Sequence, residues 1–107
     1  MKEAILAVLQ RRPGRPNAIT GESLAYMFGH KSDRSIRLAI RELIKDGWPV
    51  ASSTEAPAGY FIVTSYAEAR QYADSIKSRL IEDAIRRRDF RRAADMHLQK
   101  LEQGRLI

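Results

Sequence analysis

The 107-residue sequence contains no cysteine, which excludes disulfide bonds, zinc sites built on thiolates and cysteine nucleophiles. It has no apolar run of the ~18 residues that a membrane-spanning helix requires. The opening segment, residues 1–6, includes the acidic Glu3 and too short an apolar block for a secretory signal. These absences predict a soluble protein of the cytoplasm. Apolar residues, at 44% of the chain, are sufficient for one compact core.

Groups that carry catalysis or bind metals are also scarce. The two histidines, His30 and His97, have no second histidine or carboxylate pair at ligand spacing. No glycine-rich phosphate loop is present, and no nucleophile-elbow motif organises the serines, histidines and aspartates. The sequence therefore predicts a protein that is not an enzyme and that has no cofactor and no metal. His30 could still donate a hydrogen bond to a phosphate.

Positive charge is in excess, because 19 lysines and arginines stand against 13 acidic residues and give a net charge of +6. Such an excess favours a polyanionic partner, although it also suits an ordinary solvated surface. Five arginines between residues 86 and 92 form the densest cluster. Three interpretations of this cluster stay open: a face that pairs with nearby aspartates, an additional non-specific contact with DNA, and a docking surface for an acidic protein.

The first half of the chain has the pattern of short helices followed by a hairpin. Apolar residues recur at helical spacing in three segments, and Thr20 and Ser32 precede two of these segments as N-caps. Proline and glycine interrupt the chain between them. The predicted elements, in chain order, are helix Glu3–Gln10, an extended pair at residues 18–19, helices Gly21–Phe28 and Asp33–Asp46, and strands Trp48–Ser52 and Gly59–Val63.

The last third of the chain has the pattern of continuous helix. Neither proline nor glycine occurs in residues 60–103, and Ser65 and Glu68 have the S-x-x-E spacing of a capping box. The pattern predicts one helix over residues 66–103. Two helices with a break at residues 88–89 remain an alternative, because an aspartate at that point could cap a separate final helix.

Apolar residues in this last segment step by three and four positions, but Asp83 and Arg87 occupy the middle of the stripe. The interruption argues against a long regular coiled coil and favours helices that pack on the domain or on a second copy. The aromatic residues Trp48, Tyr66 and Tyr72 do not alternate with basic residues on a strand. They are predicted to pack in the core or in an interface, with Trp48 beneath the hairpin.

The middle of the chain resembles a family of DNA-binding proteins. The residues that carry the resemblance are Ser32-Asp33-Arg34-Ser35-Ile36-Arg37, then Ile40, Leu43 and Gly47, then Pro49-Val50-Ala51-Ser52, and finally Gly59-Tyr60-Phe61. They resemble the third helix and the wing of winged helix-turn-helix proteins common in phages and prophages. The resemblance implies a DNA-binding domain over residues 1–63, in a mainly helical α+β fold with a small hairpin. Residues 64–107 would then be a helical extension for packing or oligomerisation.

A basic outer face on the third helix supports this resemblance independently. If the isoleucines of this helix face inward, its arginines face outward, because residues three and four positions apart share a face. Early positions of a recognition helix reach deepest into the major groove. Base contacts are therefore predicted for Arg34, Ser35, Arg37 and Leu38, and phosphate contacts for Arg41 and Lys45.

Further DNA contacts are predicted on either side of this helix. The loop at residues 11–17 is basic, rich in proline and predicted to be flexible. Its segment 13–16 is faintly similar to the Gly-Arg-Pro core of minor-groove AT-hooks, but a loop that contacts phosphates and a plain solvated connector are both favoured over that role. The hairpin tip contains Glu55 and no basic residue, so only hydroxyl contacts are predicted there. The additional candidates are Lys31, Arg11, Arg12, Arg15, Ser53 and Thr54.

Together these features predict sequence-specific binding to double-stranded DNA by a transcriptional regulator or by a phage-type replication or excision accessory. One recognition helix reads only a short site, so a homodimer through the C-terminal helical region is predicted, with other phage or regulatory proteins as further partners. The alternative is a protein-interaction adaptor, in which the winged helix is a scaffold and the C-terminal helix is the docking or oligomerisation element.

Overall fold

The computed structural model describes residues 1–106, with side chains up to Gly104. Its elements, in chain order, are α1 (Lys2–Gln10), a 3-10 turn (Arg15–Asn17), α2 (Gly21–Met27), α3 (Arg34–Lys45), β1 (Val50–Ser53), β2 (Gly59–Ile62) and α4 (Tyr66–Leu106). The chain divides into two compact units, residues 1–72 and residue 73 onward. The described fold is mainly helical with a two-stranded antiparallel hairpin, which confirms the predicted α+β class.

The first unit is built around the apolar stripes of its three short helices. α1 and α2 both pack on α3, and α3 also contacts β1, so α3 is the central helix of the unit. Burying one isoleucine or leucine side chain contributes roughly 1.5–3 kcal/mol relative to full exposure. The largest fully buried side chains are Ile5, Leu9, Leu24, Ile36 and Leu43.

The hairpin gains a further partner from the chain between α1 and α2. β1 and β2 pair antiparallel, with Val50 opposite Ile62. On the other edge of β2, Ile19 and Tyr60 exchange two backbone hydrogen bonds, of 2.9 and 2.7 Å. The extended pair predicted at residues 18–19 therefore lies against β2 and extends the hairpin by one short bridge.

Gly59 opens β2 at a position where the backbone requires glycine. Its backbone φ of 125° lies in a region that L-amino acids with a side chain rarely adopt. A Cβ atom at this position would also overlap the backbone carbonyl of Ile19 and crowd the amide of Thr20. The absence of a side chain thus allows the segment before α2 to approach β2 closely enough to pair with it.

The N-termini of α2 and α3 are capped differently. Thr20 Oγ1 accepts a hydrogen bond from the backbone N–H of Ser23 at 3.0 Å, which confirms the cap predicted for α2. The prediction of Ser32 as the cap of α3 is wrong, because the N-cap residue is Asp33 and its side chain makes no capping hydrogen bond. The Asp33 carboxylate lies instead 3.5 Å from the guanidinium of Arg37, one turn along the helix.

Glu68 secures the start of α4. Its backbone N–H donates to Ser65 Oγ at 3.1 Å, while its Oε1 accepts from the Thr64 N–H at 2.8 Å and the Thr64 hydroxyl at 3.0 Å. This is the predicted capping box, with the carboxylate reaching one residue further back than usual. Its Oε2 accepts from the Arg15 N–H at 3.1 Å. These hydrogen bonds, the one from the Thr64 backbone foremost, lower the pKa of Glu68 because they stabilise its charged form.

α4 is one uninterrupted helix, which decides between the one-helix and two-helix predictions. Asp89, the residue that could have capped a separate final helix, pairs with the neighbouring Arg88 at 3.2 Å. The first unit extends to Tyr72 and so includes the first turns of α4. From Ala73 to Gly104, the part of the second unit whose side chains are described, no side chain is buried.

Two aromatic side chains that were predicted to pack in the core or in an interface are exposed in the single chain, so neither belongs to the core. Trp48 retains 39% of its accessible surface and Tyr66 retains 91%. β1 begins at Val50, two residues later than predicted, so Trp48 precedes the strand and does not lie beneath it. Tyr66 is the first residue of α4, where the chain leaves the packed hairpin. Only Tyr72, the third of the predicted aromatic residues, is partly buried.

Candidate nucleic-acid interface

α3 presents one face to the core and the opposite face to solvent. Its core face is formed by Ile36, Ala39, Ile40 and Leu43, which are all buried. Glu42 is also exposed, but its carboxylate lies toward α1, 3.9 Å from Lys2 Nζ. The other exposed residues, which we call the outer face of α3, are Arg34, Arg37, Leu38, Arg41, Ile44 and Lys45. The helical period therefore predicted the orientation of the arginines correctly.

The outer face of α3 combines aliphatic and basic groups. A shallow groove is lined by Arg34, Arg37, Leu38, Ile40, Arg41 and Ile44. Leu38 is 53% exposed and Ile44 is 47% exposed. Aliphatic side chains among guanidinium groups can contact thymine methyl groups while the guanidinium groups donate to guanine edges or phosphates. Leu38 was among the predicted base contacts and Ile44 was not, so the structure adds Ile44 to the candidate surface.

Most of the cations on the outer face of α3 form no ion pair within the described part of the chain. Arg37 is paired, since its Nε lies 3.5 Å from Asp33 Oδ1. Among the residues that the structure describes, Arg34, Arg41 and Lys45 have no ion-pair partner. An unpaired surface cation can exchange a bound counterion for a phosphate without first breaking a contact within the protein. These three side chains are therefore the cations of α3 that could bind a phosphate at the lowest cost.

The acidic residues near the C-terminus of α3 are paired with α1. Lys2 Nζ lies 2.7 Å from Asp46 Oδ2 and 3.9 Å from Glu42 Oε2. The hydrogen bond to Asp46, followed by the negative charges of both carboxylates, raises the pKa of Lys2. This arrangement partly neutralises the carboxylates that adjoin the basic face. Local sequence patterns do not reveal this role of Lys2, because Lys2 and Asp46 are 44 positions apart.

Ser35, one of the predicted base contacts, does not share the exposed face. It is partly buried and lines a separate groove between α1 and α3 together with Met1 and Lys2. Lys31 is exposed in the turn before α3, as its candidate role requires. The ring Nε2 of His30 lies 2.9 Å from Met1 Sδ, so this histidine is in contact with the start of the chain. Three of the four predicted base contacts thus remain together on one surface.

Arg15 connects the proline-rich loop to the hairpin. Its Nη2 donates to Ser53 Oγ at 3.1 Å and lies 3.5 Å from Glu55 Oε2. The Ser53 hydroxyl also donates to the Glu55 carbonyl at 3.1 Å, so this candidate hydroxyl is already engaged. Thr54 is exposed at the hairpin tip. The guanidinium of Arg15 therefore lies beside the hairpin, which has no basic residue at its tip, and Glu55 partly offsets its charge.

The loop at residues 11–17 is held in place, contrary to the prediction that it is flexible. Gly14 N–H donates to the Ile62 carbonyl at 2.8 Å, and Asn17 Nδ2 donates to the Pro13 carbonyl at 2.8 Å. Arg15 has its backbone and its guanidinium both engaged, which does not suit insertion into a minor groove as an AT-hook. Arg11 and Arg12, at the end of α1, are exposed.

The arginine cluster at residues 86–92 lies entirely on the exposed surface of α4. Two of its members pair within the helix: Arg86 with Asp83 at 3.6 Å and Arg88 with Asp89 at 3.2 Å. The interpretation that the cluster pairs with nearby aspartates therefore holds for these two arginines. The other three arginines of the cluster have no ion-pair partner in the described part of the chain. Such exposed pairs contribute only a few tenths of a kcal/mol.

Comparison with protein-family models, with curated proteins and with solved structures finds no match to the chain. In residues 1–106, no group of three or more histidine and acidic side chains is placed to hold a metal ion. In the same residues, no helix combines the length and the apolar character that crossing a membrane requires. Indications of function therefore come from the chain's own surface, which includes the outer face of α3 with its exposed aliphatic side chains among arginines.

Proposed function

We propose that this chain is a winged helix-turn-helix protein that binds double-stranded DNA sequence-specifically by placing α3 in the major groove. The observation that carries the proposal is the outer face of α3, where exposed arginines surround Leu38 while the opposite face completes the core. A major groove about 12 Å wide admits an α-helix presented in this way. The role would be binding without catalysis, in the cytoplasm, as a regulator or a phage-type replication or excision accessory.

The arrangement around α3 supports the same proposal. Two helices pack on it, and a hairpin with one additional bridge follows it, which is the order of elements in a winged helix-turn-helix domain. Arg34, Arg37 and Leu38 would contact base edges, since they lie in the first half of α3. Arg41 and Lys45 would contact phosphates. Lys31, Arg11, Arg12 and Thr54 are exposed and could contact the flanking backbone.

A salt titration of the full chain on a random-sequence duplex tests the electrostatic part of this proposal. On such a duplex no base contacts are specific, and all four cations of α3 are expected to meet phosphates. If each neutralises one phosphate, log K falls with log salt at a slope of about −3.6, which is roughly 150-fold between about 50 and 200 mM. Arg41→Gln should reduce the slope by about 0.9, so that the same interval costs only roughly 40-fold. Fluorescence anisotropy of a labelled duplex measures both values.

Arg70→Gln provides the matched control, because Arg70 is exposed in the same unit but lies on α4. It removes the same charge, so equal effects of the two variants would mean that net charge and not α3 drives binding. Selection from a random duplex library tests specificity. An enriched motif is expected, and Arg37→Ala should weaken binding to it by about 1–3 kcal/mol. No DNA affinity at low salt would refute the proposal.

The adaptor function remains a second candidate because α4 exposes large apolar side chains, among them Ile76, Leu80 and Leu101. In that case partner binding would survive substitution of Arg34 and Arg41. It would be lost when the apolar residues of α4 are replaced by aspartate. A partner pulled down with the chain in high salt, and released by the α4 variants only, would favour this second function over DNA binding.

A further inference from the structure

α4 has an apolar stripe that no other described residue buries. The stripe runs from Ala73 to His97 in alternating steps of three and four residues, the spacing of a coiled-coil seam, and we call these positions the seam. Its bulkiest members, Leu80 and Phe90, keep 65% and 71% of their accessible surface. Because helices in proteins gain most of their stability from packing an apolar face, the seam indicates a contact with a partner.

Two opposite charges lie within the seam, and they are the residues that interrupt its apolar pattern and argue against a long regular coiled coil. Asp83 and Arg87 occupy the consecutive seam positions between Leu80 and Phe90. Asp83 Oδ1 lies 3.6 Å from Arg86 of its own helix, whereas Arg87 has no ion-pair partner in the described part of the chain. A charge enclosed in a seam is costly unless it meets an opposite charge. The surface that covers the seam must therefore present a carboxylate to Arg87 and a cation to Asp83.

A second copy of α4 meets this requirement in one orientation. In a parallel pair each seam residue faces its own counterpart, so Asp83 would face Asp83 and Arg87 would face Arg87. In an antiparallel pair centred between the two residues, Asp83 of each helix faces Arg87 of the other, and this happens twice by symmetry. The same register places Leu80 of each helix opposite Phe90 of the other.

The two charges specify the register of the antiparallel pair as well as its orientation. Moving one helix by a heptad in either direction would place Arg87 opposite Phe90 or Ile76, with no carboxylate facing it. The charge-paired register also sets Ile76 opposite Ala94, so that a large side chain meets a small one. The centre of this register, between Asp83 and Arg87, lies close to the middle of the helix Tyr66–Leu106. Nearly the whole length of the two helices can therefore overlap.

We propose that two copies of this chain associate through α4, antiparallel over residues 73–97, with Asp83 of one copy opposite Arg87 of the other. The occupant of the seam is thus a second copy of the chain. Polar residues within a seam are a well-attested means of setting register and orientation, and here they select the antiparallel pair. The inference rests on α4 alone and holds whether or not α3 binds DNA.

The first experiment measures the mass of the full chain in solution by sedimentation equilibrium. The expected mass is twice the 12.2 kDa of one chain. Leu80→Asp should raise the dissociation constant of the dimer by about 100-fold, since it places two unpaired carboxylates against phenylalanine. Ile81→Asp is the matched control: Ile81 is 51% exposed and adjacent, but lies outside the seam, so the dimer should persist. A single-chain mass, a mass above two chains, or equal effects of both variants would overturn the proposal.

A charge exchange then tests the orientation. Arg87→Asp alone sets carboxylates opposite each other and should weaken the dimer by about 10-fold or more. Adding Asp83→Arg to the same chain restores opposite charges in the antiparallel pair, and the dissociation constant should return to within about threefold of its original value. In a parallel pair like charges would still face each other after the exchange. A double variant as weak as the single one would therefore refute the antiparallel arrangement.

Cross-linking provides an independent measurement, because the chain has no cysteine of its own. Chains with Leu80→Cys, mixed with chains with Phe90→Cys, should form a disulfide between the two different variants under mild oxidation. Each variant alone should remain largely uncross-linked. Efficient cross-linking of either variant with itself would show that these positions face their own counterparts and would exclude the proposed register.

Discussion

Asp33→Asn is expected to strengthen DNA binding, which is an unusual outcome for a substitution beside a binding surface. Asp33 Oδ1 lies 3.5 Å from Arg37 Nε, and the two side chains are 39% and 62% exposed. An exposed pair of this kind contributes about 0–1 kcal/mol. Arg37 must give up this contact to reach DNA, and the Asp33 charge also repels phosphates. The isosteric amide removes both costs, so affinity should rise by roughly two- to fivefold.

Fluorescence anisotropy on the random-sequence duplex, at one fixed salt concentration, measures this change. Asp89→Asn is the matched control, because Asp89 also forms an exposed ion pair, with Arg88 at 3.2 Å, but lies on α4. It changes the net charge by the same amount, and its effect should be smaller. Weaker binding by Asp33→Asn, or a gain no larger than that of Asp89→Asn, would show that Asp33 does not restrain a DNA-contacting arginine.

Three further predictions concern stability and are measured by urea denaturation. Gly59→Ala should lower the free energy of unfolding by about 3 kcal/mol or more, because its Cβ would overlap the Ile19 carbonyl, whereas Gly104→Ala, with open space around it, should not destabilise the chain. Leu43→Ala should cost about 2–5 kcal/mol, since this side chain is only 2% exposed; a smaller loss would contradict the central position of α3. Glu68→Gln should cost about 1 kcal/mol. Folding lowers the pKa of Glu68 from 4.5, so its contribution is complete above that pH and is lost as the pH falls below it; an equally steep loss in the variant would contradict this assignment.

The helices of the first unit could be predicted from local patterns. The spacing of apolar residues located α1, α2 and α3 to within one residue at each end and oriented the arginines of α3 outward. Thr20 and the Ser65–Glu68 spacing marked helix starts, because a capping side chain bonds to backbone only two or three residues away. Helical periods and caps are properties of a few neighbouring residues, so they can be read without knowing the fold.

Three other predictions from the sequence were less successful. Ser32 was predicted to cap α3, but the chain places Asp33 at that position and pairs it with Arg37. Trp48 was predicted to be packed and is exposed, because the strand begins after it. The loop at residues 11–17 looked flexible by composition, yet backbone hydrogen bonds to the hairpin hold it. Only the loop depended on partners far away in the chain, which local composition does not reveal. The cap of α3 and the start of β1 differ from the predicted positions by one and two residues.

The order of helices and strands, the charge excess, and the opposite faces of α3 follow from this sequence alone, since they rest on spacing and composition. Only the tertiary structure decided that Lys2 partly neutralises Asp46, that Arg15 reaches Ser53, and that Glu68 joins α4 to the 3-10 turn. These contacts connect residues far apart in the chain. Short-range electrostatics and hydrogen bonding act over a few ångströms of space, and which distant groups come within that range is determined by how the core packs.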